Sequence, residues 1–182
     1  PTTGKYDKIL IDSNTVYSPS STAFFSLSPL FITVEGDQSN FSNSALTITN
    51  NYLFTSETRA GSNPTGFMSE IQPNKILRSD YNVSRRAGAG SHSFYAGSSL
   101  ATWQAATGKD SNSSEGTSAS HNMVTVDWTG FNSAPNSGTG PQIDAGEPNG
   151  AYIYANGKVR SATPEAGALG WNETDDYPTP TF

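Results

Sequence analysis

The chain has 182 residues, the length of one domain and enough to bury a sizeable core. Charged residues make up only 14%, hydrophobic residues 34% and aromatics 11%, with a formal net charge of −6. That aromatic content argues against disorder, the acidic balance argues against nucleic acid as a partner, and the lack of cysteine excludes disulfides and thiolate metal sites.

No stretch approaches the roughly 18 apolar residues that a membrane-spanning helix needs, so membrane insertion is not expected. No signal peptide opens the chain. The first strand pattern begins within ten residues of Pro1 and leaves no room for a covering segment, which predicts a cut from a longer chain.

Residues 5–58 read as strands, punctuated by turns at Ser18-Pro19, Glu35-Gly36-Asp37 and Ser39-Asn40. Within them a segment recurs. Ile9-Leu10-Ile11-Asp12-Ser13-Asn14-Thr15-Val16-Tyr17-Ser18 returns as Leu46-Thr47-Ile48-Thr49-Asn50-Asn51-Tyr52-Leu53-Phe54-Thr55, with Asn51 37 residues after Asn14. A degraded third copy, Leu77-Arg78-Ser79-Asp80-Tyr81-Asn82-Val83, places Asn82 31 residues further on. Strand–turn units at such spacing predict a chain wound into stacked coils, each too small to bury its own apolar face.

Gly61 to Gly66 reads as a loop, and residues 67–84 return to short strands. Ser98 to Gly108 carries the one helical signal, with serine to cap it, Leu100 and Trp103 on one face and Gly108 to stop it. Residues 111–121 are Ser-rich and featureless, and Met123 to Trp128 alternates as a strand. From Phe131 onward Gly, Pro and Asn dominate. The predicted organisation is one unit over 1–171 and a tail over 172–182, an arm that could pack on a neighbour.

Three segments together resemble the C-terminal portion of right-handed parallel β-helix proteins. The first is the pair of strands around Asn14 and Asn51. The second is Ser79-Asp80-Tyr81-Asn82, then Ser98-Ser99-Leu100 with Trp103-Gln104, then Thr107-Gly108-Lys109-Asp110-Ser111. The third is Ile143-Asp144-Ala145-Gly146, Asn156-Gly157-Lys158-Val159-Arg160 and Pro164-Glu165-Ala166-Gly167-Ala168, with Glu165-Ala166 where Asp-Ile is usual. The resemblance covers roughly residues 5–171 and implies an all-β, right-handed parallel β-helix (solenoid) with one short helix and a loop-rich closing segment. That family includes secreted polysaccharide lyases and hydrolases, phage tailspikes and non-catalytic surface proteins, so fold does not decide function.

Asn14, Asn51 and Asn82 read as a structural ladder, because an unpaired buried amide costs about 1–3 kcal/mol. Trp103 is expected to cover an apolar surface, Asp110 to turn the chain after Gly108, and Asp144 to pair with Arg160. His92 and His121 sit in Ser-rich loops with no motif around them, and no nucleophile elbow or phosphate-binding loop is present. No metal site is expected. Calcium is the one ion the Asp175-Asp176 pair could hold weakly, and two residues do not make a site. Candidate glycan-contacting aromatics are Tyr95, Trp128, Tyr152, Tyr154 and Trp171, whose faces could stack on sugars.

Two functions follow as expectations. One is a non-catalytic structural or adhesive module of an extracellular, cell-surface or virion protein, contacting polysaccharide and associating with itself or a partner subunit at an open coil end. The other is the C-terminal coils of a polysaccharide lyase or glycoside hydrolase. Convergence of Glu35, Asp37, Glu57, Glu70, Lys75 and Arg78 in one groove would favour the enzyme, since hydrolysis needs two carboxylates flanking the bond.

Overall fold

The computed structural model describes residues 5–18, 30–33, 37–56, 65–87, 92–95, 97–127, 130–148 and 164–167. Its strands are β1 (Ile9–Asp12), β2 (Thr15–Ser18), β3 (Leu30–Thr33), β4 (Leu46–Thr49), β5 (Tyr52–Thr55), β6 (Thr65–Ser69), β7 (Ile76–Asp80), β8 (Val83–Arg86), β9 (His92–Tyr95), β10 (Ser114–Thr117), β11 (Met123–Asp127) and β12 (Gly130–Pro135). One helix, α1 (Leu100–Thr107), lies between β9 and β10.

The strands fall into a sheet of order β1-β4-β7, a second of order β10-β8-β5-β2, a third of order β3-β6-β9, and the pair β11-β12. Every pairing in the first three is parallel, and β11-β12 is antiparallel. The recurring segment sets the register: Ile9 lies opposite Leu46, Asp12 opposite Thr49 and Thr15 opposite Tyr52. Between β4 and β7 the register slips by one residue after Leu46, because Leu77 is extra. A bulge of this kind turns a side chain out of the pleat, and Leu77 is indeed exposed.

These findings correct the expected all-β right-handed parallel β-helix. The strands form separate parallel sheets, an α-helix and an antiparallel pair stand among them, and no closed solenoid is found among the described residues. The reason is visible at β9, after which the chain forms α1 instead of a fourth strand beside β7. Ser99 caps the helix by accepting the Thr102 N–H, and Gly108 ends it at φ +67°, a left-handed conformation that glycine adopts without a Cβ clash.

The parallel sheets share one apolar core. Ile48, Leu53, Phe67, Ile76 and Phe94 meet there, with Leu100 and Trp103 of α1 packed onto them. Phe67 and Phe94, neighbours on β6 and β9, stack with ring centroids 4.9 Å apart. The other face of the second sheet buries Tyr52, Phe54 and Val83 against Met123 of β11 and Ala166. β5 is therefore covered on both faces, and all four of its residues are buried.

Candidate functional site

The polar centre of the molecule is a row of side chains at the bends between the first and second sheets. Each bend is built alike: Ser13, Asn50 and Tyr81 adopt φ of +59°, +56° and +57°, and the next residue in each case is Asn14, Asn51 or Asn82. The left-handed residue reverses the chain sharply enough to aim the following Asn along the stack.

Asn51 Oδ1 accepts the Asn14 N–H and the Asn14 Nδ2, both at 3.0 Å. Asn82 Oδ1 accepts the Asn51 N–H at 3.2 Å and its Nδ2 at 3.0 Å. The second proton of each buried amide returns to the preceding strand, Asn51 Nδ2 to Ile11 O and Asn82 Nδ2 to Ile48 O. Asn51 and Asn82 are fully buried and Asn14 is exposed.

The last rung changes chemistry. The Asn82 N–H donates to Ser113 Oγ and its Nδ2 to Asp110 Oδ1. Ser113 Oγ donates to the same carboxylate oxygen at 2.6 Å, and Trp103 Nε1 donates to Asp110 Oδ2 at 2.9 Å. Burial pushes the Asp110 carboxyl above its ordinary range, against the pull of those donors. Asp110, φ +60°, thus turns the chain and ends the row.

Two flanking sets are tied in the same manner. Gln38 donates from Nε2 to Glu70 O and accepts the Gln72 N–H at 3.0 Å. Lys75 is buried, with Nζ donating to Phe41 O at 2.9 Å and Asn43 Oδ1 at 3.2 Å.

Of the six residues proposed to discriminate enzyme from scaffold, Glu35 and Glu57 lie outside the described residues. Asp37 accepts the Ser39 N–H and hydroxyl, which lower its carboxyl below the usual range. Glu70 is exposed at φ +60°, and Arg78 pairs with Glu147. Among the described residues no group of three or more His, Cys, Asp or Glu side chains is placed to hold a metal ion.

Of the candidate glycan aromatics, Trp128, Tyr152, Tyr154 and Trp171 lie outside the described residues. Tyr95 stacks on Trp103 with ring centroids 4.3 Å apart and donates its hydroxyl to Ile71 O. His121, placed by the sequence in a Ser-rich loop without a motif, is half-buried: it meets Tyr17 and Phe54 edge-on, and its Nδ1 accepts the Met123 N–H. Burial lowers its pKa. The expected Asp144–Arg160 pair and the Asp175-Asp176 pair fall outside the described residues, apart from Asp144 at φ +51°.

Sequence reasoning missed Asn50, Ser113 and Glu115. Asn50 anchors the closing segments: Nδ2 donates to Asp12 Oδ1, Oδ1 accepts the Glu147 N–H, and the main-chain oxygen accepts the Gly167 N–H. Ser113 was detectable, since it follows Asn82 by the same 31 residues that separate Asn51 from Asn82. Glu115 Oε1 accepts the Leu100 N–H at the start of α1, while Oε2 is buried without a hydrogen bond. In comparisons with known proteins, no family model matches this chain, and no curated protein or solved structure proves similar to it.

Proposed function

We propose that the chain is a non-catalytic structural or adhesive module of an extracellular, cell-surface or virion protein. The observation that carries this reading is the row from Asn14 to Asp110, in which the side chains bond from one bend to the next and end on Asp110, itself held by Trp103 of α1. A buried amide bonded on both sides fixes strand spacing and register and resists local opening. Lys75 and Arg78, which lyase chemistry would need free, are likewise engaged with neighbouring groups. Such an element suits a stalk or coat that must hold its shape.

Polysaccharide is the proposed surface contact, and it rests on the sequence alone. The test is incubation of the full chain with a panel of acidic and neutral polysaccharides, following reducing ends, unsaturated uronate absorbance and retention on the immobilised polymers. Retention without product supports the reading; steady product release overturns it, in favour of a hydrolase where substituting a carboxylate abolishes it and of a lyase where substituting a Lys or Arg does.

A further inference from the structure

The β11–β12 pair lies on the second sheet without belonging to it. Among the described residues its strands pair only with each other, so no main-chain ladder ties them to that sheet. Side chains attach them instead. Met123 and Val126 pack on Tyr52, Phe54 and Val83, and the Tyr52 hydroxyl donates to His121 O at 2.7 Å. A cover held in this way opens at lower cost than a strand within a ladder.

His121 stands at the root of the cover, two residues before β11 begins. Its ring meets Tyr17 of β2 and Phe54 of β5 edge-on, with centroids 5.5 and 5.8 Å away, and those two rings stack on each other. Nδ1 accepts the N–H of Met123, the first residue of β11, at 2.9 Å. That bond requires a bare nitrogen. An imidazolium carries a proton on both nitrogens and can accept nothing. Protonation would therefore set two N–H groups against each other and leave a charge among aromatic rings.

Among the described residues no carboxylate is placed to pair with that charge. Tyr17 of β2 and Tyr52 of β5 face the ring with neutral hydroxyls. Arg85 of β8 lies beside Tyr52 and has the same sign as a protonated ring. Glu115 of β10 is directed to the other side of the sheet, where it accepts the Leu100 N–H of α1. Attraction between an imidazolium and the two aromatic rings works the other way. Burial prevails, and the His121 pKa lies below its ordinary 6.5.

We propose that His121 is a pH-sensitive latch, which fastens the β11–β12 pair to the second sheet when neutral and releases it when protonated. The closed form prefers the neutral ring, so the attachment is complete above pH about 6.5. As pH falls below that value the open form takes up the proton first, and opening grows until the closed form binds it too. Release would uncover the apolar face formed by Tyr52, Phe54 and Val83. The latch goes beyond the scaffold reading and does not depend on it.

The test follows the isotopically labelled full chain by NMR from about pH 7.5 to about pH 5.5. It reads the His121 ring resonances and the hydrogen exchange of β11 amides, corrected for the intrinsic pH dependence of exchange. A histidine that binds its proton only in the open form multiplies opening about tenfold over that range, which is the ceiling. The expected result is a His121 midpoint below 6.5 and β11 amides at least about threefold more open at the acid end, with β4 and β7 unchanged. His121→Asn is the control, because an Asn oxygen accepts the N–H two residues on and does not titrate. Its β11 exchange should not respond to pH. A midpoint at or above 6.5, β11 protection indifferent to pH, an equal change in β4 and β7, or an undiminished acid response in His121→Asn would overturn the proposal. All but the last are read on the unaltered chain, so they decide the matter even where the variant does not fold. The polysaccharide assay is untouched by any of them.

Discussion

Asn51 Oδ1 holds both the N–H and the Nδ2 of Asn14 at 3.0 Å, across 37 residues of chain. The bond pair lets one side chain fix the register of two sheets at once, because Asn14 and Asn51 sit at the bends joining β1 to β2 and β4 to β5. Asn82 treats Asn51 in the same way. Stability should therefore depend on position along the row rather than on residue type.

Asn51→Ala would remove the acceptor of the Asn14 N–H and Nδ2 and leave Asn82 Oδ1 with the main-chain N–H as its one remaining donor from residue 51, in a fully buried setting. A buried polar group left unpaired costs about 1–3 kcal/mol, so the loss should be about 2–4 kcal/mol. Asn82→Ala should match it. Asn14→Ala, at the exposed end, should cost about 1 kcal/mol or less. Urea midpoints of the three variants check the order, and equal losses would refute a row that works by burial.

Asn50 separates backbone strain from side-chain ties. Asn50→Ala puts a Cβ-bearing residue at φ +56°, takes one donor from Asp12 Oδ1, which keeps the Thr49 hydroxyl, and removes the acceptor of the Glu147 N–H. The left-handed conformation costs about 1–2 kcal/mol, and the lost bonds add to it. Asn50→Gly restores the conformation alone and should be the milder variant. Hydrogen exchange should quicken at Glu147 in both, since both lose the Oδ1 acceptor.

The helix end offers a further check. Trp103 Nε1 donates to Asp110 Oδ2 in the interior, and Trp103→Phe keeps the stacking on Tyr95 while removing the donor. A bond to a charged group contributes about 1.5–3 kcal/mol, and the loss should lie in that range. Asp110→Asn made together with Trp103→Phe should cost less than the two single losses combined, because the residues share one bond. Additive losses would mean that the contact carries little.

What was legible in the sequence follows from these contacts. The pairing of Ile9–Asp12 with Leu46–Thr49 was readable because each residue that alternates into the core has a like residue opposite it. The helix was readable from Ser99, Leu100, Trp103 and Gly108, which act locally. β10 was not: Ser-Glu-Gly-Thr has no apolar alternation and is a strand because β8 offers it a parallel edge. The fourth rung shows in the sequence only as a 31-residue spacing and not as a residue type, since Ser113 and Asp110 divide between them what one Asn does elsewhere. The repeat specified neighbours and register but not closure, which depends on what replaces a strand after β9. The site aromatics remained beyond reach because stacking partners such as Tyr95 and Trp103 come together only through the fold.

Glu115 carries the pH prediction. Burial raises its carboxyl above the ordinary 4.5, the Leu100 N–H and Arg85 oppose that rise, and Oε2 has no hydrogen bond. A raised carboxyl binds its proton more tightly in the folded chain than in the unfolded one. Its penalty is therefore absent below pH about 4.5, grows as pH rises through the folded value, and is constant above it. Glu115→Gln removes the titration and keeps an oxygen for the Leu100 N–H. The variant should gain on the wild type as pH rises from 4 to 7, with the difference level below and above that window. Denaturation midpoints of both proteins across that range measure it. A difference that does not change with pH would show that the carboxylate is not penalised by its surroundings, and that Arg85 or solvent compensates it fully.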